Sequence, residues 1–298
     1  MASTAATPFK NLAVKQSEAL DILKMGHNVF LTGEPGSGKT HTINEYVAYL
    51  RSHDIEPAIT ASTGISATHI GGMTIHSWSG IGIKNSLDKH SLKKIITGYV
   101  AKRVKRTRVL IIDEVSMLSA QTFSMIDLIC KEIKDIQKPF GGMQLVLVGD
   151  FFQLPPIIKK EQTGESQITL LPESSGRFAY DSLSWKGAKL TVCYITEQHR
   201  QDDNNFLSIL SAIRRNDFNE NHLRYINTRK IINEVAPKTA PKLFSYNADV
   251  DRINSEILDK IDGEPKEFNM FSQGVEPLVA ILKKGCLSPD TLYLKIGA

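Results

Sequence analysis

GEPGSGKT, Gly33 to Thr40, stands between an apolar run, HNVFLTG (His27–Gly33), and an amphipathic stretch, KTHTINEYVAYL (Lys39–Leu50). The spacing G-x-x-x-x-G-K-[ST] between a strand and a helix is a phosphate cradle. Gly33, Gly36 and Gly38, with Pro35 and Ser37 between them, let the backbone curl until successive N–H groups converge on phosphate oxygens. The N-terminus of the following helix adds about half a positive charge at the same point. Lys39 would reach the β- and γ-phosphates of a triphosphate, and Thr40 would offer its hydroxyl to Mg²⁺.

On either side of this loop, strand-like and helix-like segments alternate. EPAITAS (Glu56–Ser62), RVLIIDEV (Arg108–Val115), MQLVLVGD (Met143–Asp150) and LTVCYI (Leu190–Ile195) read as strands. Helical periodicity runs over 121–136, 205–215 and 250–261. The alternation predicts an α/β fold, a mostly parallel sheet with helices on both faces. The nearly unbroken apolar run from Val109 suits a central strand covered on both sides. A change of lobe is expected near residue 190, and the polar stretch Lys159–Gly176 should cross the surface.

The 298 residues are 41% hydrophobic and 23% charged, enough apolar material for a core, which excludes a disordered or collagen-like chain. The longest apolar runs, VLII from Val109 and LVLV from Leu145, are far short of the roughly 18 residues that a membrane helix needs. MASTAATPFK at the start has no apolar leader region,. Cys130, Cys193 and Cys286 are odd in number and dispersed, so they read as packed side chains in a reducing, intracellular setting. Net charge is only +4, yet nine basic residues lie between Lys84 and Arg108 against Asp88 alone. Such a local field suits a polyanion.

Two further stretches carry chemistry. In IIDEVS (Ile111–Ser116), Asp113 sits at a strand tip expected beside the cradle strand, where it would hold the hydration shell of Mg²⁺. Glu114 is then the natural general base for an attacking water. In VGDFFQLPPI (Val148–Ile157), Gln153 lies just past Asp150, where a neutral amide can sense the γ-phosphate or orient the water. Pro155 and Pro156 stiffen the loop that follows; Phe151 and Phe152 could be core or could stack on bases, and the sequence alone favours core.

Together these stretches resemble superfamily 1 DNA helicases, and among them the petite integration frequency (Pif) family. TASTGISATHIGGMTIHSW (Thr60–Trp78) resembles its first strand-binding motif, and KPFGGMQLVLVGDFFQLPPI (Lys138–Ile157) its signature running into the third motif. RFAYDSLSW (Arg177–Trp185) and TEQHRQDDNNFLSILSAIRRND (Thr196–Asp217) resemble the opening of the second motor lobe, and LFSYNADVDRINSEIL (Leu243–Leu258) the segment after it. The resemblance implies RecA-like lobes. A tail would cover 1–11, the first lobe 12–189 with a small basic insertion around 79–107, and 190–298 would begin an incomplete second lobe.

It also implies an ATP- and Mg²⁺-dependent motor that moves 5′→3′ on single-stranded DNA and unwinds DNA, junctions included, as a monomer. Gln16 matches the adenine-reading glutamine, and Arg200 the arginine delivered to the γ-phosphate. Thr60, Ser62 and Thr63 match phosphate-contacting positions, while His76 and Trp78 match a strand-contacting loop. The basic window falls where the family inserts its strand-separating subdomain. LYLKIGA (Leu292–Ala298) stops where the family continues, so the sequence reads as truncated. Two other readings stay open: a non-catalytic ATP- and DNA-binding fragment, and a P-loop phosphotransferase for small molecules.

Overall fold

The computed structural model describes residues 11–157 except 83 and 85, 176–197, 203–230, and 241–298 except scattered positions within 275–287. In chain order the first compact unit holds β1 (Asn11–Val14), α1 (Gln16–Lys24), β2 (Val29–Gly33), α2 (Lys39–Ser52), β3 (Ala58–Ala61), α3 (Gly64–His69), β4 (Met73–Thr74) and α4 (Ile75–Ser79). It continues with α5 (Lys89–Thr97), α6 (Tyr99–Arg106), β5 (Val109–Asp113), α7 (Ala120–Lys134), β6 (Gln144–Val148), α8 (Leu183–Gly187), β7 (Thr191–Ile195) and α9 (Asn204–Arg215). Its seven strands form one parallel sheet in the order β1-β7-β2-β6-β5-β3-β4.

Strand alternation sorts the apolar side chains onto the two faces. Val29, Leu31, Val109, Ile111, Val146 and Val148 turn to a core shared with Leu23 of α1 and Ile43, Tyr46 and Leu50 of α2. Phe30, Leu110, Ile112, Leu145 and Leu147 turn to the opposite core, shared with Val104 of α6 and Phe123, Ile126 and Ile133 of α7. Both faces are therefore dry, as unbroken apolar strands require. Each such Leu, Ile or Phe contributes about 1.5–3 kcal/mol.

One buried carboxylate ties this second face together. Asp127 of α7 accepts the Phe140 N–H at 2.7 Å, the Lys131 ammonium at 2.7 Å and the Ser184 hydroxyl at 2.7 Å. It thereby pins the turn at Phe140, whose φ of +50° is left-handed and whose ring is fully buried. Asp127→Ala strands these donors, so urea titration should show a loss of about 2–4 kcal/mol.

Several expectations are corrected. No change of lobe occurs near residue 190, because β7 is hydrogen-bonded between β1 and β2 and the first compact unit runs to Phe218. The Arg177–Trp185 stretch belongs to that unit too, since Trp185 packs on Phe30 and Phe123. The basic window is not a separate subdomain: Leu87, Ile95, Val100 and Val104 lie in the core under α7, while Lys84, Lys89, Lys93, Lys94, Lys102, Lys105, Arg106 and Arg108 stay exposed. The tips of β2 and β5 are not adjacent either, as β6 runs between them. The short strands β1 and β4, at the two edges, carry too few residues to show a period. The polar stretch from Lys159 lies outside the described residues as far as 175.

The second unit, residues 219–298, contains α10 (Glu220–Thr228), α11 (Asn247–Asp259) and an antiparallel pair, β8 (Lys266–Asn269) and β9 (Thr291–Leu294). Among the described residues no helix is long and apolar enough to cross a membrane. Cys130 and Cys193 are buried and Cys286 is exposed.

Candidate active site

Three neighbouring strand tips frame the site, at the carboxyl edge where doubly wound sheets bind ligands. β2 runs into the loop 33–38, β5 ends at Asp113, and β6 leads through Gly149 to Asp150. Gly36 and Gly38 hold φ at +88° and +87°, which a Cβ would strain. α2 starts at Lys39 with no side-chain cap on Gly38, leaving its first N–H groups for a ligand. Ser37 is fully buried and its hydroxyl has no hydrogen-bond partner among the described residues. An orphaned polar atom inside such a loop fits a cradle that receives another polar group. Pro35 and Thr40 are exposed beside it.

Lys39 lies folded across this loop, its Nζ donating to Gly33 O at 2.9 Å and Glu34 O at 3.0 Å. Burial pulls its ammonium below the ordinary lysine range, against the attraction of Asp150, Glu114 and Asp113. Gln16, at the start of α1, donates its side-chain amide to Ser37 O at 3.2 Å, and its own backbone N–H goes to Glu197 at 2.7 Å.

Opposite the loop stand Asp113 and Glu114. Burial raises the Asp113 carboxyl above its ordinary range; the Glu114 N–H at 2.8 Å and the Lys39 charge oppose the shift. Glu114 is raised by burial and then by the charge of Asp113, with Lys39 pulling the other way. Its backbone is left-handed, φ +52° and ψ +43°, a cost of roughly 1–2 kcal/mol for a residue with a Cβ. The Ser62 hydroxyl holds that turn by donating to Glu114 O at 2.6 Å.

Asp150 closes the floor. Burial would raise its carboxyl, but the Arg214 hydrogen bond, the Phe152 N–H, the Arg214 charge and the Gln153 amide together bring it below the ordinary aspartate range. Arg214 Nη1 is 2.7 Å from Asp150 Oδ2, and Gln153 Nε2 is 3.3 Å from the same oxygen. Sequence reading singles out Gln153 but neither Arg214 nor Asp150. Arg214 stands in the last turn of an amphipathic helix, where arginines are ordinarily solvated. Asp150 does carry a readable signal: it ends an apolar strand just as Asp113 does. Of the two phenylalanines, Phe151 packs on Phe30 and Tyr180, while Phe152 is exposed under the Arg214 guanidinium.

The expected strand-contacting residues fare differently. Thr60 is fully buried and spends its hydroxyl on Ile111 O at 2.6 Å, so it is a fold residue. Trp78 is core as well. Ser62 serves the Glu114 turn, and Thr63 caps α3 through Ser66. His76 is half-buried, and burial lowers its ring pKa. Arg200 lies outside the described residues.

A family model described as "PIF1-like helicase" matches residues 11–224. The chain is similar to the ATP-dependent DNA helicase Pif1 of Psychrobacter sp. (strain PRwf-1), 42% identical over 96% of this chain and 43% of that protein. Its similarity to the ATP-dependent DNA helicase PIF1 of Saccharomyces cerevisiae (strain YJM789) is 33% over 96% of this chain and 33% of the relative. The crystal structure of Pif1 helicase from Candida albicans superposes with a TM-score of 0.79 at 31% identity, covering 96% of this chain and 64% of that one. The chain thus spans less than half the length of these two sequence relatives.

Proposed function

The chain belongs to the PIF1-like helicase family, and on that premise we propose that it is the ATP-hydrolysing portion of a DNA helicase that moves 5′→3′ on single-stranded DNA. What supports the reading is the convergence of Lys39 with Asp113, Glu114 and Asp150 at three strand tips. In this proposal the loop 33–38 and Lys39 hold the triphosphate, and Gln16 reads the base. Thr40 and Asp113 would hold Mg²⁺, which neutralises phosphate charge when bound. Glu114 takes the proton from the attacking water, and Gln153 orients that water. Arg200 would complete the charge stabilisation from its own segment.

DNA contact rests on the exposed lysines and arginines between 84 and 108. Phosphates held that way make the logarithm of affinity fall linearly with the logarithm of salt concentration. Steady-state ATP turnover by the full chain, with and without single-stranded DNA, tests the proposal: stimulation by DNA supports it. DNA binding without turnover would point to a binding fragment, and phosphate transfer to a metabolite without DNA to a phosphotransferase.

The pH profile gives a second check. A base works only when deprotonated, and Glu114 holds its proton more tightly than an ordinary glutamate. In the free chain kcat/KM for ATP should therefore fall on the acid side at a pH above the ordinary glutamate range,. That limb should vanish from the residual rate of Glu114→Gln.

A further inference from the structure

Helix α9 carries two side chains to the cradle, Ser211 and Arg214, and neither takes part in the proposed chemistry. Ser211 donates its hydroxyl to both carboxylate oxygens of Glu34 at 3.1 Å. Three residues on, Arg214 reaches Asp150 with side-chain exposures of 14% and 1%. Positions i and i+3 share one helix face, so one face of α9 grips the cradle on both sides: Glu34 from the β2 loop and Asp150 from the β6 tip.

The guanidinium centre lies 4.3 Å from the Phe152 ring and 5.9 Å from the Tyr194 ring. Asp150 is thus a node. Arg214 and, at 3.3 Å, the Gln153 amide share its Oδ2, while the Phe152 N–H donates to its Oδ1 at 3.1 Å. Lys39 is a second cation drawn to the same carboxylate.

We propose that Arg214 is a positioning residue: through Asp150 it fixes the loop Phe151–Pro156 against the cradle, and so sets the turnover rate without holding the nucleotide itself. The proposal rests on the ATPase reading above. A stacked, fork-shaped guanidinium cannot be replaced by an ammonium, and a buried carboxylate needs a partner. With the fork gone, Asp150 turns to the remaining cation, Lys39. The two loop bonds, from the Phe152 N–H and the Gln153 amide, then lose their fixed acceptor.

Arg214→Lys and Asp150→Asn, singly and together in the full chain, make the test. Each single change should lower kcat for DNA-stimulated ATP hydrolysis about tenfold, as small misplacements of reacting groups do, while KM for ATP moves less than about threefold. The double variant should be no slower than the slower single one, because both break one link. Hydrogen exchange at the Phe152 and Gln153 amides should quicken in Arg214→Lys, with the global unfolding midpoint held as a control. If Arg214→Lys does not fold, the near-isosteric Asp150→Asn carries both readouts.

Effects that multiply in the double variant, or a raised KM with kcat kept, or unchanged exchange, would each overturn the proposal. Absence of turnover in the unaltered chain would sink the ATPase reading instead. Exchange then decides the Arg214–Asp150–loop link alone: quickening keeps it, and no change removes it.

Discussion

Replacing Glu114 by glutamine should leave ATP and ADP affinity within about threefold of the parent while kcat drops by about 10²–10⁴, the range general-base catalysis supplies. Glutamine keeps the size and hydrogen-bonding reach of the side chain and removes only its capacity to accept the proton. The left-handed turn is held from the backbone side by Ser62, so the substitution leaves its anchor in place. Equilibrium binding of a fluorescent ADP analogue, read beside phosphate release, checks both halves. A retained rate would strip Glu114 of the role of base.

Lys39→Ala should act on both quantities. The ammonium is the cation at the loop, and interactions aimed at developing charge in such sites are worth about 3–4 kcal/mol, or 10²–10³ in rate. ATP affinity should fall as well, because the same charge meets the ground-state phosphates. Stability should not fall with them: burial already pulls this lysine below its ordinary range, so alanine removes a desolvated charge. Thermal unfolding with and without ATP checks this. The expected pattern is an unchanged apo midpoint and loss of the nucleotide-induced rise, which by mass action measures binding to the native state alone.

The central sheet was legible because its strands are apolar on both faces, and that composition has few other uses. The cradle was legible because Gly36, Gly38 and Lys39 serve backbone geometry and charge at fixed spacing. What escaped was set by distance in the fold. Thr60 and Trp78 stand in a motif-like stretch, but whether a hydroxyl or an indole faces outward depends on which strand lies beside it, and β5 lies beside Thr60. Likewise the break expected near residue 190 ignored that LTVCYI could pair back into the first sheet, since strand pairing is not local. Arg214 and Asp150 are 64 residues apart, and no local pattern joins them.

One interposed strand has a metric consequence. Neighbouring strands run about 4.8 Å apart, so the ends of β2 and β5 are held roughly 10 Å apart across β6. That spacing fixes how far the Asp113 end of β5 stands from the start of the loop 33–38, with the tip of β6 and Asp150 between them. Peptide hydrogen bonds in a parallel ladder keep this caliper set, whatever side chains decorate it. Resetting it would take a change in the main chain where the middle strand emerges, and there is little slack: a Cβ added at Gly149 would come within 3.0 Å of the Val115 nitrogen.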